Sequence, residues 1–107
     1  MHVRVARFEG VDKSTLDRDY EDFRKMLRSR ERPELMSDDV AATLRDSVRR
    51  VISFADRQNG VTLDMTFTDT AEDAQRVHEA LDSLTPPEGA GRRTSAEIYE
   101  VMLDEQL

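Results

Sequence analysis

Three residues carry most of the chemistry that this chain can offer: His78, Asp64 and Tyr99. An imidazole titrates near neutral pH and coordinates iron or zinc, so His78 can serve as an axial ligand or a general base. Asp64 stands among threonines on the polar side of an alternating run. A carboxylate there becomes a pocket base when it is desolvated. Tyr99 can donate a hydrogen bond to a carbonyl or phenolate ligand. Each also has a plainer use. The default readings are His78 as a boundary residue beside Val77, Asp64 as an exposed strand aspartate, and Tyr99 as a packed ring with a satisfied hydroxyl. No second ligand at metal-site spacing accompanies His78, so no metal and no cofactor is expected. His2 flanks a pocket if the first strand lines one. Arg92-Arg93 beside Thr94-Ser95 can hold an anion, with a solvated loop as the default for so short a pattern. No phosphate-cradling glycine motif, nucleophile elbow or zinc-protease motif is present.

The elements that must position these residues are legible in the spacing. His2–Glu9 alternates as a strand, with Val3 and Val5 on one face and Arg4, Ala6 and Phe8 on the other. Ser14 is the expected cap of a helix, with Asp17 in a variant of the capping box. Leu16, Tyr20, Phe23 and Leu27 form one stripe of that helix, and Pro33 ends it by Arg32. Glu34–Val48 reads as a short extra helix starting at Ser37-Asp38-Asp39, with Leu35 and Met36 packing back on the core. A mobile flap over a pocket is the other reading of this long connection. Val51–Arg57 and Val61–Phe67 flank Gln58-Asn59-Gly60. Asn-Gly between apolar runs signals a hairpin, because a tight turn needs residues that accept positive φ. Asp69-Thr70-Ala71-Glu72-Asp73 opens a further helix, whose stripe is Ala74, Val77, Leu81 and Leu84. A loop of breakers follows, and Ser95–Leu103 alternates as the last strand.

Composition limits the function classes. A chain of 107 residues is read as a single domain, residues 1–107, with one core. It contains no cysteine, which removes disulfides, thiolate catalysis and cysteine-ligated metals together. No apolar run approaches the ~20 residues that span a bilayer, and Met1-His2-Val3-Arg4-Val5 does not resemble a signal peptide. A cytoplasmic protein without membrane attachment is therefore expected. The formal net charge is −7, which repels a phosphate backbone on average. Arg24, Lys25, Arg28, Arg30 and Arg32 do cluster, but Glu21, Asp22, Glu31 and Glu34 are interleaved with them. Such mixing marks a solvated helix face, and no nucleic-acid partner is expected.

The order β-α-(α)-β-β-α-β is the split βαβ, or ferredoxin-like, arrangement of an α+β domain. Helices cover one face of its four-stranded antiparallel sheet and leave the other to be accounted for. The outer strands carry apolar residues on both faces, Ile52 with Phe54 and Val51 with Ala55. A partner sheet is therefore expected, and a homodimer is the economical answer.

Met1–Gly10, the stretch Ala55–Gly60 and Arg92–Val101 resemble the dimeric α/β-barrel superfamily, and within it the antibiotic-biosynthesis-monooxygenase-type domains. The resemblance spans nearly the whole chain apart from residues around Glu34–Leu44. It implies a homodimer whose sheets close into a barrel, with a pocket in each protomer. The resemblance also implies which residues to check. Cofactor-free and haem-degrading oxygenases of this type place an asparagine in the first strand, where this chain has Ala6. They place a tryptophan at the end of the third strand, where it has Thr68 or, shifted by one, Phe67. The haem-degrading members add a histidine on the following helix, and His78 matches its spacing.

Two functions follow as expectations. One is a monooxygenase-like enzyme that oxidises an aromatic small molecule without a cofactor. The other is a non-catalytic dimeric barrel that binds a small apolar or aromatic ligand or acts as an interaction module. Fold alone does not choose between them, since function resides in the site.

Overall fold

A computed structural model describes residues 1–29, 37–86 and 88–107. The expected packing of Leu35 and Met36 and the expected helix end at Arg32 lie outside these residues. The chain folds as an α+β structure with elements in the order β1 (His2–Glu9), α1 (Leu16–Ser29), α2 (Asp38–Ser47), β2 (Arg50–Asp56), β3 (Val61–Thr68), α3 (Ala71–Asp82) and β4 (Arg92–Glu100). All strand pairings are antiparallel and the sheet order is β2-β3-β1-β4. This arrangement is compatible with a ferredoxin-like fold. The short insertion is a helix, α2, capped by Ser37, whose side chain accepts from the Val40 N–H. It packs against α3, where Arg76 donates to the buried Ser47 hydroxyl at 3.0 Å.

Local chemistry explains most boundaries. Thr70 caps α3 by accepting from the Asp73 N–H at 3.0 Å, and Glu72 and Asp73 suit the positive end of the helix dipole. Ser14 does not cap α1 as expected. Its hydroxyl and its N–H both donate to Asp12 Oδ1, so the aspartate organises the turn before the helix. The hairpin loop is Arg57–Gly60, longer than a two-residue turn, because Asp56 pairs with Val61. Asp56 accepts from Asn59 through both carboxylate oxygens, and Gly60 takes the positive φ of +65°. The last strand begins at Arg92 and ends at Glu100, where Ser95–Leu103 was expected. A bulge between Arg7 and Phe8 admits the additional residue Thr94, so the charged Arg92-Arg93 pair joins the ladder. Beyond it, the Val101 N–H bonds to the Met1 carbonyl.

The register places side chains on two contrasting faces. Residues Arg4, Ala6 and Phe8 share a side with Thr62, Asp64, Thr66 and Thr68, and with Val51, Ser53 and Ala55. This is the helix-facing side: Arg4 bonds to His78 of α3 and Asp64 to Tyr20 of α1. Ala74 and Val77 of α3 are fully buried and form the core with Ala6, Leu16 and Val11. The opposite side carries Val3, Val5, Leu63, Met65, Phe67, Ile52, Phe54 and Tyr99, and no helix is seated on it among the described residues. Phe54 and Tyr99 there are 49% and 50% exposed. The hydroxyl-rich side of the sheet is thus covered by helices, whereas the apolar side is exposed at Phe54 and Tyr99 but buried at Val3 and Phe67, where Arg50 lies over the Phe67 ring and pairs with Asp104 beyond β4.

Candidate functional site

The covered side brings two of the three candidate residues beneath the helices. Asp64 is half-buried rather than exposed as expected, and its Oδ1 accepts a 2.7 Å hydrogen bond from the Tyr20 hydroxyl. Alternation along β3 puts it there. Apolar Leu63 and Met65 take the open side, so the polar residues between them turn towards α1. Burial first, then the charge and hydrogen bond of Asp64, push the Tyr20 phenol up to about 12. Hydroxyls of Thr62 and Ser53 oppose that shift, because they favour the phenolate. Tyr20 therefore remains a proton donor at neutral pH and holds the Asp64 carboxylate in place.

His78 lies on α3 and is half-buried. Its Nδ1 accepts from Arg4 Nε at 3.1 Å, which requires the tautomer carrying its proton on Nε2. Arg4 is itself nearly fully buried, at 3% exposure. Burial, reinforced by Arg93, lowers its pKa below the usual guanidinium value, against the opposing pull of Asp82 and Asp64. Arg93, for which the sequence offers anion holding against a solvated loop as the default, is occupied by Asp82 of α3. His2 shares the helix-facing side, between Thr68 and Glu100, and its buried Nδ1 has no hydrogen-bond partner among the described residues. Among the described residues no three histidine, cysteine or carboxylate side chains group as a metal site.

Tyr99 does not join this set. It faces the open side in register with Val3, and its hydroxyl donates to Glu97. The positions singled out by resemblance divide likewise. Ala6 and Thr68 are buried on the helix-facing side, and Thr68 donates to the Thr70 carbonyl, while Phe67 lies on the open side.

A cleft of about 550 Å³ separates α1 from β2. Its walls are apolar at Leu16, Phe23, Leu27, Val51 and Phe54, with Tyr20 and Ser53 supplying hydroxyls and Asp17, Arg24, Arg28 and Arg57 supplying charge. Phe23 and Leu27, on the apolar stripe of α1, are 36% and 43% exposed because α1 makes few contacts with the sheet beyond Tyr20. Sequence reasoning therefore missed Tyr20 as a site residue by counting it with that stripe. The available signal was the run Thr62, Asp64, Thr66 and Thr68, which puts four polar side chains on one face and calls for a hydrogen-bonding partner on the covering helix.

No helix among the described residues is long and apolar enough to cross a membrane. No protein-family model matches the chain, and no curated protein matches its sequence, so the reading of this site rests on its own geometry.

Proposed function

We propose that this chain is a homodimeric small-ligand-binding domain, in which two open sheet faces meet to close a barrel and each protomer keeps one cleft. The observation that carries the reading is the distribution of side chains over the two faces of the sheet. A face built from Val5, Ile52, Leu63, Met65 and Phe54 is costly to leave in water and is the usual mark of an association surface. Strands about 4.8 Å apart and up to nine residues long make a face roughly 15 by 25 Å. Pressing two such faces together removes on the order of 1,000 Å², about what a specific interface needs. Charge does not oppose it. Arg7 and Arg50 on this face offset most of Glu9, Asp56 and Glu97 in a chain of net charge −7. The cleft on the other side lies within the ~300–1,000 Å³ range of small-molecule sites, and combines six apolar residues with six polar or charged ones.

Sedimentation velocity on the purified chain tests the assembly, and thermal shift against a panel of aromatic ligands tests the cleft. A dimer whose melting temperature rises with ligand, without turnover, is the expected result. A monomer at all concentrations removes the barrel.

A second reading, cofactor-independent oxidation of an aromatic small molecule, is favoured by one observation. Asp64 is a carboxylate on the covered side beside Tyr20, which lines the cleft. Oxygen uptake with anthrone-type and quinol substrates is its test, and no uptake above buffer eliminates it.

A further inference from the structure

We propose that the cleft selects small amphipathic anions, with an aromatic or acyl body between α1 and β2 and a carboxylate head on Arg24 and Arg28. The inference rests on the ligand-binding reading above and names its ligand class. Arg24 and Arg28 stand four residues apart, so they share a face of α1, and both line the cleft. Neither forms an ion pair among the described residues, although Glu21 and Asp22 are near in sequence. Arg57, across the cleft on the hairpin loop, is held by Asp17, with Nη2 2.5 Å from Oδ1. Asp17 is the one carboxylate among the described lining residues, which are locally cationic in a chain of net charge −7.

The combination favours a small monoanion over a polymer. Two guanidinium groups on one helix face, without an ion-pair partner among the described residues, match a single carboxylate, which arginine binds in a planar, two-pronged geometry. A polyanion or an anionic membrane would meet a chain of net charge −7 and be repelled on average. The exposed rings and side chains of Phe23 and Leu27 lie next to the two arginines in sequence, so head and body of the ligand are served by the same turns of α1.

The chain has no tryptophan, so the fluorescence of a naphthyl probe can be read with little protein background. The test compares 2-naphthoate with the uncharged 2-naphthamide, on the full chain and on the Arg24→Gln/Arg28→Gln variant. Arg45→Gln, on the exposed surface of α2, controls for the loss of a positive charge away from the cleft. Saturable binding of naphthoate, about fivefold to tenfold tighter than naphthamide, is expected. The double variant should lose that preference and keep its affinity for naphthamide, and the Arg45 control should behave as the parent chain. Equal binding of the two probes overturns the anion selectivity and leaves the ligand-binding cleft standing. A preference that survives the double variant overturns the assignment to these arginines. If neither probe saturates, the cleft reading fails and the inference fails with it.

Discussion

A phenol that donates to a carboxylate in a half-buried setting keeps its proton for two reasons, and the Tyr20–Asp64 pair has both. Burial penalises the phenolate, and the Asp64 charge would repel it. Because the folded value of about 12 exceeds the ordinary 10, the unfolded chain releases this proton first as pH rises. The contribution to stability is therefore complete below about pH 10 and is lost as pH climbs through 12. Tyr99 is the other tyrosine of the chain and is also shifted up, chiefly by its hydrogen bond to Glu97, so it must be removed to read Tyr20 alone. In a Tyr99→Phe background, phenolate absorbance should appear with a midpoint near 12 in the native protein and near 10 in denaturant. Adding Asp64→Asn should lower the native midpoint without bringing it to the denatured value, since burial persists. A native midpoint equal to the denatured one would show that Tyr20 is not held in this pair.

At the scale of elements, alternation predicted which residues share a face but not which face the helices would choose. The period of two in Val61, Leu63, Met65 and Phe67 is equally satisfied by burial under a helix or under another sheet, and only the chain's later course decides. An exposed Asp64 is the expectation wherever the apolar side of a sheet lies beneath its own helices. Here Tyr20 and His78 supply partners for polar groups on that side, so a carboxylate and a guanidinium group are accommodated below them. The strand β4 was misplaced for a different reason. Its first residues are charged and follow glycines, which reads as loop, yet Gly91 is what allows the chain to meet β1. It adopts φ +80°, and a Cβ there would stand 2.2 Å from the Glu9 carbonyl oxygen. Gly10 also has a positive φ, +69°, but a Cβ would meet nothing within 4 Å. Both alanine substitutions carry the left-handed penalty of about 1–2 kcal/mol, and only Gly91→Ala adds a backbone clash. Urea unfolding should show Gly91→Ala less stable than Gly10→Ala by a further ~1–2 kcal/mol. Equal losses would mean that the β1–β4 junction relaxes freely.

For the whole molecule, the central question is what covers the open face, and Met65 is the residue that separates the answers. It sits near the centre of that face, with Ile52 and Val5 in register on either side. It is already half-buried in the single chain, so a glutamate there can extend its carboxylate to solvent as long as the chain is alone. In a face-to-face dimer the same carboxylate is sealed between two apolar sheets and lacks a counter-charge, a cost of several kcal/mol for each copy. Met65→Glu should therefore convert the dimer to a monomer while leaving the far-ultraviolet circular dichroism unchanged. The melting temperature of the parent chain should rise with protein concentration, and that of the variant should not. If the variant instead unfolds, the face is needed within the single chain, and the open side is not an interface. If both proteins sediment as monomers, the apolar face has some other occupant, and the cleft must function without a second subunit. A monomeric variant that still binds naphthoate would locate the ligand site within one protomer, since the cleft uses residues from α1, β2 and the hairpin loop of the same chain.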